Sequence, residues 1–116
     1  MEDVRARELV ATERKRIESA LAELRGEVQT ETDLGRQQTG ESDSGSALAT
    51  EMVDQALVAS LDDELLAVVR AEDRLSSGTF GRSVVSGLPI PDERLEVAPL
   101  AERTTDEELQ HEAQLR

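Results

Sequence analysis

The stretch from Gly78 to Glu107 reads GTFGRSVVSGLPIPDERLEVAPLAERTTDE, and it sets the reading of everything around it. Ser76-Ser77-Gly78 is a helix stop, with Gly78 suited to the left-handed position just past a helix C-terminus. Val84-Val85, Ser86-Gly87 and then Leu88-Pro89-Ile90-Pro91 give two short apolar runs around a turn, the pattern of a short extended hairpin or knuckle. Thr104-x-x-Glu107 and Thr105-x-x-Glu108 are overlapping capping boxes, which predict a final helix running toward Arg116.

The spacing within this stretch resembles the C-terminal zinc finger of the DksA/TraR family. That family's pattern is roughly G-(S/T)-(Y/F)-G-x-C-x-x-C-G-x-x-I-x-x-x-R-L-x-x-x-P-x-A-x-x-C-x-x-C. Gly78, Thr79, Phe80, Gly81, Gly87, Ile90, Arg94, Leu95, Glu96, Pro99 and Ala101 fall in register without a gap. The resemblance is specific from about Leu65 to Glu107. The pattern's four cysteines fall on Ser83, Ser86, Thr104 and Glu107, and the chain holds no cysteine at all. Structural zinc is held tetrahedrally by Cys or His. Hydroxyls are poor ligands for it, Glu107 alone cannot hold it, and His111 stands at an unrelated spacing. No metal is expected at these four positions, and no cofactor elsewhere.

Something else must then hold the knuckle. The residues between and beside the lost ligands predict an apolar cluster of Phe80, Val84, Val85, Leu88, Ile90, Leu95, Val97 and Leu100. Each side chain, if well buried, contributes about 1.5–3 kcal/mol. Thr104 and Glu107 become caps of the last helix. The alternative is a stretch that stays disordered without its metal.

N-terminal to the finger-like stretch, a helix is predicted from about Ser46 to Ser77. Val58, Leu61, Leu65, Val68 and Leu75 form its seam, interrupted by Glu72, and Leu48, Met52 and Val53 extend the apolar side. Residues 30–46 hold almost no apolar side chain and carry Gly35, Gly40 and Gly45, so they read as a polar connector. From residue 2 to about 29, Val10, Ile17, Leu21, Leu24 and Val28 repeat at spacings close to a heptad. Two such helices joined by a polar connector should fold back on each other. The expected fold is mainly α: an antiparallel helical hairpin (a coiled coil) over 1–77 with its polar tip at about 30–45. A small Cys-less finger-like module and a C-terminal helix follow over 78–116.

Composition narrows the function. With 116 residues, one Phe, no Trp and no Tyr, the chain lacks the aromatics that usually fill a large core. At 34% charged and 37% hydrophobic residues it has the profile of long amphipathic helices. Its net charge of −13 repels nucleic acid phosphates, so direct DNA or RNA binding is not expected, and basic protein surfaces are the favoured partners. No apolar run reaches membrane-spanning length and the first residues lack a signal peptide's apolar core, so the expected location is the cytoplasm. One histidine and no cysteine assemble no nucleophile–base set. Asp62-Asp63 and Glu107-Glu108 are adjacent residues that do not share a helix face. Acids occupy the glycine-flanked segment at 40–45, where a phosphate loop would need none. An enzyme is not expected.

The resemblance implies more. Members of the family insert a long coiled coil into the secondary channel of RNA polymerase, with a D-x-x-D-x-A motif at its tip. Counted back from Phe80 and Gly81, these positions fall on Gly40, Asp43 and Gly45, so Asp43 is the one acid in register, with Glu41 and Asp33 nearby. Asp43 also suits a turn residue or helix N-cap. The implied function is a regulator that binds RNA polymerase and adjusts transcription initiation without touching DNA. The alternative is a non-catalytic hairpin adaptor for another protein. A cleavage-factor role is disfavoured, because holding a second magnesium ion usually takes more than one carboxylate.

Overall fold

The computed structural model describes the backbone of residues 1–37 and 44–115 and the side chains of residues 1–26 and 51–115. Four helices follow in order: α1 (Asp3–Gln37), α2 (Ser44–Ser77), α3 (Asp92–Val97) and α4 (Thr105–Gln114). No strand occurs among the described residues, only an isolated antiparallel bridge between Arg82 and Pro89. The helical hairpin and the C-terminal helix are as the sequence predicts. The hairpin's first arm is longer. Residues 30–37, read as connector, continue α1, because Thr, Glu, Asp and Gln are all compatible with a helix and Gly35 costs only about 1 kcal/mol relative to Ala.

The chain forms two compact units. The first comprises Arg14–Leu66, a stretch of α1 beside a stretch of α2 running the opposite way. Ile17 and Leu21 are buried in it, as their four-residue spacing on one face predicts, and Leu24, Val58, Leu61 and Leu65 are half-buried. At its surface Arg16 pairs with Glu64 (3.6 Å) and Arg25 with Asp62 (3.3 Å). Met52 and Val53 face solvent rather than extending the seam.

The second unit comprises Met1–Glu13 with Ala67–Arg116. Its helical seam is Ala6 and Val10 of α1 with Val68, Ala71 and Leu75 of α2, all buried. Ala71 carries the seam past the interruption read at Glu72, at the 3–4 spacing from Val68 and Leu75 that a helix face requires. Below the seam, α2 ends as its sequence predicts. Gly78 has φ 77°, and the amides of Thr79 and Phe80 both turn back to the carbonyl of Arg74 (2.9 and 3.2 Å).

The knuckle follows. Ser83 N donates to the Leu88 carbonyl (2.8 Å), Gly87 N to the Ser83 carbonyl (2.9 Å) and Ile90 N to the Gly81 carbonyl (2.7 Å). Gly81 and Gly87 have φ of 85° and 75°, a region that side chains disfavour, so glycine is required at both bends. Pro91 then stands at the N-cap of α3, and Asp92 and Glu93 place negative charge at that helix's positive end. Arg5 grips Glu96 with two hydrogen bonds (3.0 and 2.6 Å), tying the start of α1 to α3.

Candidate functional site

Two places carry the residues singled out in the sequence. The tip acids Asp43 and Glu41 lie outside the described residues. The other four, Ser83, Ser86, Thr104 and Glu107, are described, and they come together.

Thr104 is the N-cap of α4. Its Oγ1 accepts from Glu107 N (3.3 Å), while the Glu107 carboxylate accepts from Thr104 N (2.9 Å), a complete capping box. From the knuckle side, Ser83 is only 5% exposed. Its hydroxyl accepts from the amides of Val85 (3.0 Å) and Ser86 (3.2 Å), which fold the turn around it. The Ser86 hydroxyl accepts from Leu88 N (3.3 Å). Hydrogen bonding from the Ser83 side chain, then from the Thr104 backbone and the Ser86 side chain, holds the Glu107 carboxyl down at about 2. A second link lies alongside, where Val84 N donates to the carbonyl of Glu102 (2.9 Å).

The Glu102 side chain faces the other way, toward α2. It takes two hydrogen bonds from Arg70 (3.3 and 3.0 Å) and one from Arg74 (3.2 Å). Burial pushes the Glu102 carboxyl up, but Arg70, Arg74 and Arg103 outweigh it and the net displacement is downward. Arg94 Nε reaches the carbonyl of Arg103 (3.2 Å). The segment from Glu102 to Glu107 is thus held from α2, from α3 and from the knuckle.

The apolar cluster expected in place of the metal does not form. Ile90 and Leu95 are buried and Phe80 and Leu100 half-buried, but Val84, Val85 and Leu88 are more than half exposed and Val97 is 87% exposed. The reason is the direction of the turn. The Val85 and Ser86 amides turn inward to the Ser83 hydroxyl and the Val84 amide to the Glu102 carbonyl, and the side chains of Val84 and Val85 face solvent.

The set does not suit zinc. Both acceptor sites of the Ser83 hydroxyl are taken by amides, leaving only its proton to offer. The four positions hold three hydroxyls and one carboxylate, whereas a structural zinc centre needs thiolates or imidazoles.

Sequence reasoning found the four positions and both halves of the capping box. It missed the link from Glu107 to the serines and the Arg70–Arg74–Glu102 group. Arg70 and Arg74, four apart and on one helix face, were the available signal for the latter. No helix among the described residues is long and apolar enough to cross a membrane.

No protein-family model matches the chain. No curated protein matches its sequence. Among solved structures it is similar to transcription factor DksA2 from Pseudomonas aeruginosa, with a TM-score of 0.83 and 24% sequence identity over 98% of this chain and 85% of that one. The helical hairpin, the knuckle and the terminal helix all lie within the matched span, and the fold of this chain is the DksA fold.

Proposed function

We propose that this protein is a transcription regulator of the DksA/TraR type, which binds RNA polymerase through its secondary channel and modulates initiation without binding DNA. The observation that carries this reading is the whole-chain likeness to a transcription factor, at a TM-score of 0.83, in a chain whose finger-like stretch keeps the family's spacing without its ligands. The net charge of −13 supports a protein partner with a basic surface over a nucleic acid. The role is one of binding rather than catalysis, and its place is the cytoplasm, with the polymerase.

In this reading the hairpin and module position the tip, and Asp43 acts at it through its charge. Asp43→Asn keeps the size of the side chain and removes that charge. It should leave polymerase affinity within a few fold and reduce the change in initiation in a purified transcription assay. Full activity of Asp43→Asn with loss in Glu41→Gln would move the acting acid to Glu41. The decisive control is capture of purified core RNA polymerase by the unaltered protein. Absence of binding would overturn the proposal and favour a hairpin adaptor with another partner. Binding that survives replacement of residues 33–45 by Gly and Ser, with initiation unchanged throughout, would leave a binder with an inert tip and would also overturn it.

A further inference from the structure

Arg74 stands in the last turn of α2. Its carbonyl closes the helix by accepting from Thr79 N and Phe80 N (2.9 and 3.2 Å). Its side chain is only 11% exposed, and Nη1 donates to Glu102 Oε2 (3.2 Å). Nη2 is buried and donates to no group among the described residues. A guanidinium stays charged at any working pH, so this charge has left water and needs a carboxylate to compensate it. Burial pushes the Arg74 guanidinium down, Glu102 acts against that push, and the neighbouring Arg70 adds to it. Arg70 lies differently. It gives Glu102 two hydrogen bonds (3.3 and 3.0 Å) from a side chain that is 53% exposed.

We propose that Glu102 is a charge latch: its carboxylate compensates the buried Arg74 at the end of α2, while its own carbonyl holds the knuckle through Val84 N. Both bonds start from the same residue (3.2 and 2.9 Å), so breaking the first loosens the second. Without the carboxylate, Arg74 is a buried charge with no compensation, and it regains water by displacing the segment at residue 102 from α2. Val84 N then loses its acceptor, and the knuckle loosens with the segment. An ion pair at the surface contributes little, and Arg70 with Glu102 is of that kind. The latch depends on the burial of Arg74 and not on the number of arginines around Glu102.

Amide hydrogen exchange of the full chain separates a latch from an ordinary ion pair, with the amides of residues 14–26 as the internal reference. Glu102→Gln keeps the size of the side chain and removes its charge. The Val84 amide should then exchange at least about tenfold faster, the scale of one lost hydrogen bond between charged groups. Arg70→Gln should change it by less than about threefold, because the pair it removes is half exposed. The deciding variant combines Glu102→Gln with Arg74→Met, which removes the buried charge and keeps an unbranched chain that packs adaptably. It should bring Val84 back to within about threefold of the unaltered protein, since a buried ion pair removed as a whole leaves no orphaned charge. An unmoved Val84 amide in Glu102→Gln would overturn the latch, and so would an equal effect of Arg70→Gln. Effects of Glu102→Gln and Arg74→Met that simply multiply in the double variant would overturn it too, because partners in one latch cannot act separately. Should Glu102→Gln unfold the module outright, the double variant decides alone: a module still unfolded once the Arg74 charge is gone would overturn the proposal.

Discussion

Among the described residues between Arg14 and Leu66 the buried side chains are aliphatic, Ile17 and Leu21, and the ion pairs Arg16–Glu64 and Arg25–Asp62 lie at the surface. Past Gly78 the arrangement differs. Ile90, Leu95 and Pro99 are buried, but beside them a serine is buried too, and the turn is wound around its hydroxyl. The hairpin needs only a seam of roughly correct size and spacing. The module needs particular donors aimed at particular acceptors. A helix pair satisfies its backbone within each helix, so its packing can be purely apolar. A knuckle with only one bridging pair of residues must find partners for its amides elsewhere, and side-chain oxygens supply them.

The largest effects should come from the aliphatic residues of both regions. Ile17→Ala should cost about 2–5 kcal/mol in urea unfolding, as should Leu95→Ala, since each empties a fully enclosed position. A cost well under 1 kcal/mol at Leu95 would mean that the module rests on polar bonds alone. Gly26→Ala should sharpen the contrast in the opposite sense. A Cβ added at Gly26 meets nothing within 4 Å, so only the helical preference changes. The hairpin should gain about 1 kcal/mol, read as a raised midpoint of helix unfolding. Val85→Ser should change stability by no more than about 0.5 kcal/mol, because the side chain is 66% exposed. A cost of several kcal/mol would restore the apolar cluster. The smallest effect should be that of a strong metal chelator, which should leave the melting curve unmoved. A chelator-dependent melting point would break the contrast between this module and a metal-held one.

The hairpin was legible because its signal is periodic. Val10, Ile17, Leu21, Val68 and Leu75 were all chosen by spacing, and all are buried. The end of α1 was not legible, because a polar stretch with one glycine looks the same whether it loops or continues a helix. In the module, sequence gave the positions without the interactions. The capping box is local and could be read from Thr104-x-x-Glu107. The approach of Ser83 and Ser86 to Glu107 spans more than twenty residues and depends on how α3 returns the chain. The short α3 carries one buried residue, Leu95, too little for a periodic signal. The valines were misread for a related reason. Apolar type predicts burial on average, but in a tight turn the backbone decides which way the side chains face.

The most direct test of a module held by its side-chain oxygens is the titration of the Glu107 side chain, followed by carbon NMR in the full chain. Its carboxyl lies at about 2, against 4.5 for an unperturbed glutamate. A depressed carboxylate contributes stability that is complete above the unfolded value and is lost as pH falls through the folded one. The module should therefore weaken between about pH 4.5 and pH 2, and Glu96 and Glu102, both displaced downward by their arginine partners, act in the same direction. The groups that hold the Glu107 carboxyl down are neutral hydroxyls and a backbone amide, so removing Ser83 or Ser86 as hydroxyls changes hydrogen bonding without changing charge. The account predicts a midpoint near 2 in the unaltered protein that rises toward 4.5 in Ser83→Ala and Ser86→Ala. A midpoint near 4.5 in the unaltered protein, or one that ignores both serines, would contradict it.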